Sequence, residues 1–132
     1  MIRSALAVLL TVLALAGCRA DETVTAYGGA DKIWHLQSLD GDAFQATATL
    51  TFPEPGQISG QAPCNSFTAT QSAPYPWFTT GPVASTRRAC PALKAETAFL
   101  TALSEMSLVE VLGDTMILSN DAGRQMVFKA AS

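Results

Sequence analysis

The sequence predicts an α+β domain, in which one helix packs across a strongly twisted antiparallel sheet or partial β-barrel. Three observations support this fold class. Short segments alternate apolar and polar residues, as strands with one buried face do. Turn-forming Gly, Pro, Asn and Asp separate these segments at short intervals. A single stretch, residues 91–106, instead places its apolar residues at helical spacing, and one helix with many strands favours the α+β class.

The first half of the domain is predicted to be a meander of strands. Residues 33–39 place Trp34 and Leu36 on one face, and Asp40-Gly41 supplies a turn. Residues 46–52 alternate apolar residues with Thr throughout, which makes them the clearest strand in the sequence. A Pro- and Gly-containing turn follows, and residues 57–60 begin the returning strand.

The second half of the domain combines two short strands, the helix and a closing meander. Short strands are predicted at 67–71 and 77–80, and the prolines around them favour positions at sheet edges. Pro91 suits the first turn of the helix, because a helix leaves the first N–H groups unbonded. Three further strands are predicted to close the chain, at 108–112, 115–119 and 125–130.

The amino-terminal residues 1–17 read as a signal peptide. Arg3 precedes an apolar run, and small residues stand before Cys18. The uncharged run is well short of the ~20 residues that span a bilayer, which excludes a transmembrane anchor. Leu15-Ala16-Gly17-Cys18 resembles the bacterial lipobox, in which the cysteine becomes the lipid-modified first residue. The alternative is an ordinary signal peptide cut near Cys18.

Residues 18–31 are predicted to form the lipidated cysteine and a flexible tether, and residues 32–132 the folded domain. The tether is polar, aperiodic and contains Gly28-Gly29. In the sorting scheme that the lipobox implies, Arg19 favours the outer membrane, where the domain faces the periplasm.

Loss of Arg3 leaves seven Lys and Arg against eleven Asp and Glu, so the mature chain is acidic and no nucleic-acid partner is expected.

Several motifs together resemble a META domain of the HslJ type, over nearly the whole mature chain. They include Trp34-His35-Leu36, Cys64-Asn65-Ser66-Phe67, the run from Thr86 to Pro91, and Gly113 to Leu118. The resemblance implies the same α+β fold and a location outside the cytoplasm. HslJ-type proteins are linked to heat shock and antibiotic tolerance, so it also implies a stress-related role. Pro63 and Ala69 depart from the glycines usual in the family.

The sequence contains few residues in patterns suited to catalysis, so we expect a non-catalytic protein without a metal or cofactor. His35 is the only histidine, and a structural zinc site needs a closer set of Cys and His ligands.

With Cys18 lipidated, Cys64 and Cys90 are the two remaining thiols in an oxidising compartment, and we favour a disulfide between them. The alternative is a pair of buried, unpaired cysteines.

One compact polar cluster precedes the helix and comprises Asn65, Thr86, Arg87 and Arg88. We expect Thr86 and Arg87 to hydrogen-bond the Cys64-Asn65 loop, with Arg88 solvated and the Asn65 side chain bonded to its own local backbone. In the alternative interpretation, both guanidinium groups and the helix start hold an anion such as a carboxylate or phosphate.

An aromatic cluster of Tyr75, Trp77 and Phe78 lies among prolines. One or two of these rings are expected in the core, and any further exposed ring marks a partner-binding patch.

The sequence as a whole leaves two functions open for this chain. The first is a membrane-anchored lipoprotein that binds an envelope protein or glycolipid. The second is a carrier or secretin-pilot-like lipoprotein that holds an acyl chain between helix and sheet, which requires an apolar cavity of several hundred Å³, on the order of known small-molecule pockets.

Overall fold

The computed structural model describes residues 20–131. The predicted signal peptide 1–17, the lipidation site Cys18 and Arg19 lie outside the described residues.

The described chain contains one α-helix and nine strands. The strands are β1 (Ile33–Leu39), β2 (Asp42–Ala43), β3 (Thr49–Leu50), β4 (Gly56–Gln61), β5 (Ser66–Gln71), β6 (Ala84–Ser85), β7 (Leu108–Leu112), β8 (Thr115–Ser119) and β9 (Gln125–Ala131). The helix α1 (Leu93–Glu105) lies between β6 and β7. A short 3-10 helix, Val24–Tyr27, precedes β1.

All strand pairs within residues 20–131 are antiparallel and form two sheets. The larger sheet has the order β2-β1-β9-β8-β7, with β3 paired to β1 beside β2, and the smaller one has the order β4-β5-β6. The twisted sheet is not closed into a barrel, and one helix packs across it. The predicted α+β class is therefore confirmed, in the form of an open sheet.

The core lies between the larger sheet on one side and the helix with the smaller sheet on the other. Phe99 and Leu103 of the helix are fully buried and belong to the same hydrophobic cluster as Trp34 and Phe128 of the larger sheet. Phe67 of β5 meets Phe99 edge to face, with ring centroids 5.6 Å apart. One continuous hydrophobic cluster thus holds both sheets and the helix together.

The predicted strand 46–52 is wrong in length, although its inward pattern is correct. Ala48, Leu50 and Phe52 are buried as the alternation predicts. Only Thr49 and Leu50 pair with β1. The next residue, Thr51, pairs instead with Ser59 of β4 in an isolated bridge. The segment passes from one sheet to the other, which divides its ladder. The predicted strand 77–80 likewise reduces to one isolated bridge, between Trp77 and Leu108.

The turn predicted at Asp40-Gly41 is present and is tied to the rest of the fold. Both residues have positive φ, 53° and 87°, as a tight hairpin turn requires. Arg124 donates to the Asp40 carboxylate at 2.9 Å and to Glu105 at 2.8 Å, so one guanidinium joins the turn to the helix end. The hydrogen bond from Arg124 holds the pKa of Asp40 below its ordinary value.

The predicted flexible tether 18–31 needs correction in its second half. Thr23 and Val24 are buried, and the carbonyl oxygen of Gly29 accepts a 3.0 Å hydrogen bond from the indole of Trp34. Within this mostly polar segment Val24 is buried in the core, and its burial holds the 3-10 helix against the sheet. The folded unit therefore begins near Thr23, about nine residues before the predicted boundary at 32.

Candidate binding surface

A disulfide joins Cys64 to Cys90, as the sequence predicted. Their Cα atoms lie 5.7 Å apart, within the range that a bridge permits. The bridge connects the loop between β4 and β5 to the segment that leads into α1. Both cysteines are oxidised, so neither supplies a thiolate nucleophile in this state.

Asn65, next to this bridge, uses every hydrogen-bonding position of its side chain. Its Oδ1 accepts from the Thr86 hydroxyl at 3.0 Å and from the backbone N–H of Arg88 at 2.6 Å. Its Nδ2 donates to the Arg88 carbonyl at 3.0 Å and to Oε2 of Glu96 at 2.7 Å. The side chain thus ties together three separate parts of the chain, rather than bonding its own local backbone as predicted.

Glu96 joins Asn65 and Thr86 in this network, and it was not among the predicted site residues. Its side chain is only 5% exposed, and its Oε1 accepts from the backbone N–H groups of Cys64 and Asn65 at 3.0 and 2.7 Å. A carboxylate in the first turn of a helix also lies favourably in the field of the helix dipole. Its helical spacing from Ala92 and Phe99, on the apolar face, was the available signal. We call Asn65, Thr86 and Glu96 the polar cluster.

The two arginines before the helix do not join this cluster through their side chains. Arg87 and Arg88 are both exposed, and within residues 20–131 their guanidinium groups make no hydrogen bond or ion pair. The prediction for Thr86 is confirmed and so is the solvated Arg88, whereas the inward Arg87 is wrong. The side chains of Asn65 and Glu96 make the hydrogen bonds that hold the loop, in the place expected for the Arg87 guanidinium.

The aromatic cluster divides between the core and the surface. Phe78 is 1% exposed and Trp77 is 57% exposed, although they are adjacent in sequence. Tyr75 is half-buried and stacks on Tyr27, with ring centroids 4.6 Å apart and planes 4° apart. Tyr27 is itself 52% exposed. We call the surface formed by Tyr27, Tyr75 and Trp77 the aromatic edge.

The aromatic edge lies along β7, the last strand of the larger sheet. Trp77 bridges Leu108, and the backbone N–H of Val109 donates to the Pro76 carbonyl at 2.8 Å. Farther along the strand, the N–H of Val111 donates to the Tyr75 hydroxyl at 3.1 Å. Beside these contacts lies a cleft of about 360 Å³, lined by Tyr75, Pro76, Leu108, Glu110 and Ile117, among others.

A buried glutamine supports the loop that carries Trp77. Gln71 is 2% exposed, and its Oε1 accepts from the backbone N–H groups of Ala73 and Thr79, both at 3.0 Å. Together with buried Phe78, this amide fixes both ends of the loop. Trp77 is therefore presented to solvent from a supported loop.

A second concave surface lies between the first half of α1 and the β1–β2 hairpin. This groove has a volume of about 590 Å³, and its apolar lining includes Leu39, Ala43, Phe44, Pro91, Ala95 and Ala98. Phe44 packs against Phe99, with ring centroids 6.3 Å apart. Leu39 and Phe44 in its lining are partly buried and pack against the core, so the groove lies at the margin of the core.

Other candidate chemistry is not assembled within residues 20–131. His35 is half-buried on the outer face of β1, paired across the sheet with Thr49 and Lys129. In this part of the chain no three His, Cys, Asp or Glu side chains are close enough to hold a metal ion. The described residues also contain no helix with the length and apolar character needed to cross a membrane.

Comparison with known proteins agrees with this fold. Residues 29–132 match the family model of the META domain. A protein from Burkholderia xenovorans, solved by NMR, has 24% identity and a TM-score of 0.65, with 83% of this chain and 88% of that chain covered. A DUF4847 family protein from Bacteroides vulgatus has 10% identity and a TM-score of 0.63, with 80% and 95% covered.

A third solved structure, described only as a protein determined by NMR, has 21% identity and a TM-score of 0.58, and covers 74% of this chain and 87% of its own. A search of curated protein sequences finds no match. These likenesses to solved structures support the fold, and the family match extends over most of the chain. The chain therefore belongs to the META domain family.

Proposed function

We propose that this chain is an envelope lipoprotein, anchored through Cys18, whose META domain acts by binding and not by catalysis. The observation that carries the binding role is the exposure of Trp77, at 57%, on a loop held by Gln71 and Phe78. Leaving a large ring in water without burying it is costly, and exposed Trp and Tyr are enriched where proteins meet partners. The ligand is an envelope component at the aromatic edge.

The anchoring part of the proposal is supported by Leu15-Ala16-Gly17-Cys18, and Arg19 favours the outer membrane with the domain in the periplasm. Two or more acyl chains hold a protein firmly, whereas one chain binds reversibly. Cys18→Ser should release the protein from the membrane fraction or block its processing. A variant that stays membrane-bound and is cleaved normally would contradict the anchor.

The binding part is tested by replacing Trp77 with a photo-crosslinking amino acid in the full lipoprotein in cells. Irradiation should give one dominant adduct, identified by mass spectrometry. The matched control carries the same crosslinker at Leu93, which is also exposed, at 45%, but lies on the helix. Adducts of equal yield and variety at both positions would show that Trp77 marks no binding surface.

A second candidate function, an acyl-chain carrier, is favoured by the apolar groove beside α1. Its volume of about 590 Å³ lies in the range of small-molecule sites, on the order of 300–1,000 Å³. Native mass spectrometry of the lipoprotein should then detect a retained lipid. Ala95→Trp, which fills the groove from the helix, should abolish that retention, whereas Ser104→Trp on the exposed helix surface should not.

A further inference from the structure

The described chain enters the fold at the aromatic edge. The carbonyl oxygen of Glu22 accepts a 2.6 Å hydrogen bond from the backbone N–H of Tyr75. The next two residues, Thr23 and Val24, are buried. The amino-terminal segment therefore joins the domain at Tyr75, the residue whose ring stacks on Tyr27 and which lies two positions before Trp77.

This entry point limits how far the domain can stand from a lipidated Cys18. Glu22 lies four positions after Cys18, and an extended chain spans at most ~3.6 Å per residue, which limits the separation of the two to ~14 Å. A flexible tether as far as Asp31 would have allowed a larger separation. Because Glu22 is held against Tyr75, the short reach applies to the aromatic edge itself.

The groups along this edge suit the boundary between lipid and water. Tyr27 and Trp77 are 52% and 57% exposed, and Leu112, at the far end of β7, is 60% exposed. Leu108, beside Trp77, and Leu112 are four residues apart on one strand, ~14 Å at the rise of a β-strand. Trp and Tyr rings are enriched at membrane interfaces, where one end of the ring is apolar and the other is hydrated.

We infer that the envelope component at the aromatic edge is the bilayer itself, and that the domain lies on the lipid surface with Tyr27, Trp77 and Leu112 in the interface. This inference rests on the anchoring proposed above. The contact is made by the two rings and Leu112 and does not depend on attraction to anionic lipid, because the charged side chain that lies between Leu108 and Leu112 is the exposed carboxylate of Glu110. The anchor confines the edge near the lipid, so a weak contact suffices through high effective concentration.

The two tryptophans of the chain provide the test, since Trp34 is fully buried and Trp77 is not. The full lipoprotein is reconstituted into phosphatidylcholine vesicles with or without brominated acyl chains, which quench nearby indoles. Brominated lipid should lower the tryptophan emission, and most of that loss should disappear in Trp77→Phe, where only Trp34 emits. Acrylamide in the water phase should quench Trp77 less in vesicles than in the Cys18→Ser protein free of lipid.

The outcomes separate the inference from the proposed function. Vesicle flotation with equal bromolipid quenching in wild type and Trp77→Phe would overturn the inference and leave the anchor intact. Failure of the wild type to float would instead overturn the anchor and the inference with it. A protein adduct as the dominant crosslink at residue 77 would also overturn the inference, because the binding surface would then face a protein.

Discussion

The polar cluster and the aromatic edge each include residues from a loop that contains proline, but they have opposite properties. In the polar cluster, Asn65 and Glu96 are buried, and their side chains bond groups from distant segments. At the aromatic edge, Trp77 leaves a large apolar surface in water. The buried polar residues of this domain therefore serve its stability, whereas its exposed apolar residues are available for contact. Substitutions in the two regions should therefore separate stability from binding.

The largest effect is expected in the polar cluster, from Glu96→Ala. The change leaves three buried or half-buried donors unpaired, on Cys64 and Asn65. We expect the free energy of unfolding to fall by about 4 kcal/mol, since each unsatisfied buried group costs ~1–3 kcal/mol. Thermal unfolding measures the change. Glu54→Ala, at an exposed turn, is the control, and equal melting temperatures of the two variants would contradict the structural role of Glu96.

The adjacent rings Phe78 and Trp77 should differ nearly as much. Phe78→Ala should cost about 3 to 4 kcal/mol, because it opens a cavity in the core, and Trp77→Ala about 0.5 kcal/mol, because its ring is mostly in solvent. Denaturant unfolding gives both values. Comparable losses would mean that Trp77 is packed in the fold, and the aromatic edge would lose its standing as a contact surface.

Loss of the disulfide should lower the free energy of unfolding somewhat less than Glu96→Ala or Phe78→Ala. The chain-entropy model gives ~3.5 kcal/mol for a closed loop of this length, before any strain in the native state, and we expect about 3 kcal/mol. Cys64→Ala with Cys90→Ala should thus lower the melting temperature by more than ~10 °C, at ~4–8 °C per kcal/mol. Counting thiols after denaturation without reductant is the direct check, and two reactive thiols would refute the bridge.

The smallest effects are expected at Arg87 and Arg88. Their guanidinium groups are exposed, so replacement of either by Ala should change stability by no more than ~0.5 kcal/mol. Thr86→Ala should have a clearly larger effect, because its hydroxyl bonds Asn65 and the N–H of Ser66. A marked loss of stability in Arg87→Ala alone would restore the interpretation in which Arg87 points inward.

Local patterns predicted most of the fold, whereas partners distant in sequence were predicted poorly. The alternation in 46–52 gave the inward residues Ala48, Leu50 and Phe52, but it could not indicate where the chain changes sheets. The expected oxidising compartment and the cysteine count together led to the prediction of the disulfide. Glu96 was missed because its partner Asn65 is 31 residues away. The stack of Tyr27 on Tyr75 joins residues 48 positions apart, and no local pattern reveals such a contact.

The loop that exposes Trp77 also covers the edge strand β7, which limits edge-to-edge association between copies of the protein. An uncovered edge strand offers unpaired backbone groups to another chain, which is a common start of edge-to-edge aggregation. Here the Pro76 carbonyl and the Tyr75 hydroxyl accept from two N–H groups of β7, at Val109 and Val111. An exposed aromatic ring and an open strand edge would together favour fibrils. Because the same loop covers the strand and presents the ring, the fold exposes an apolar surface while the N–H groups of Val109 and Val111 stay unavailable to another chain.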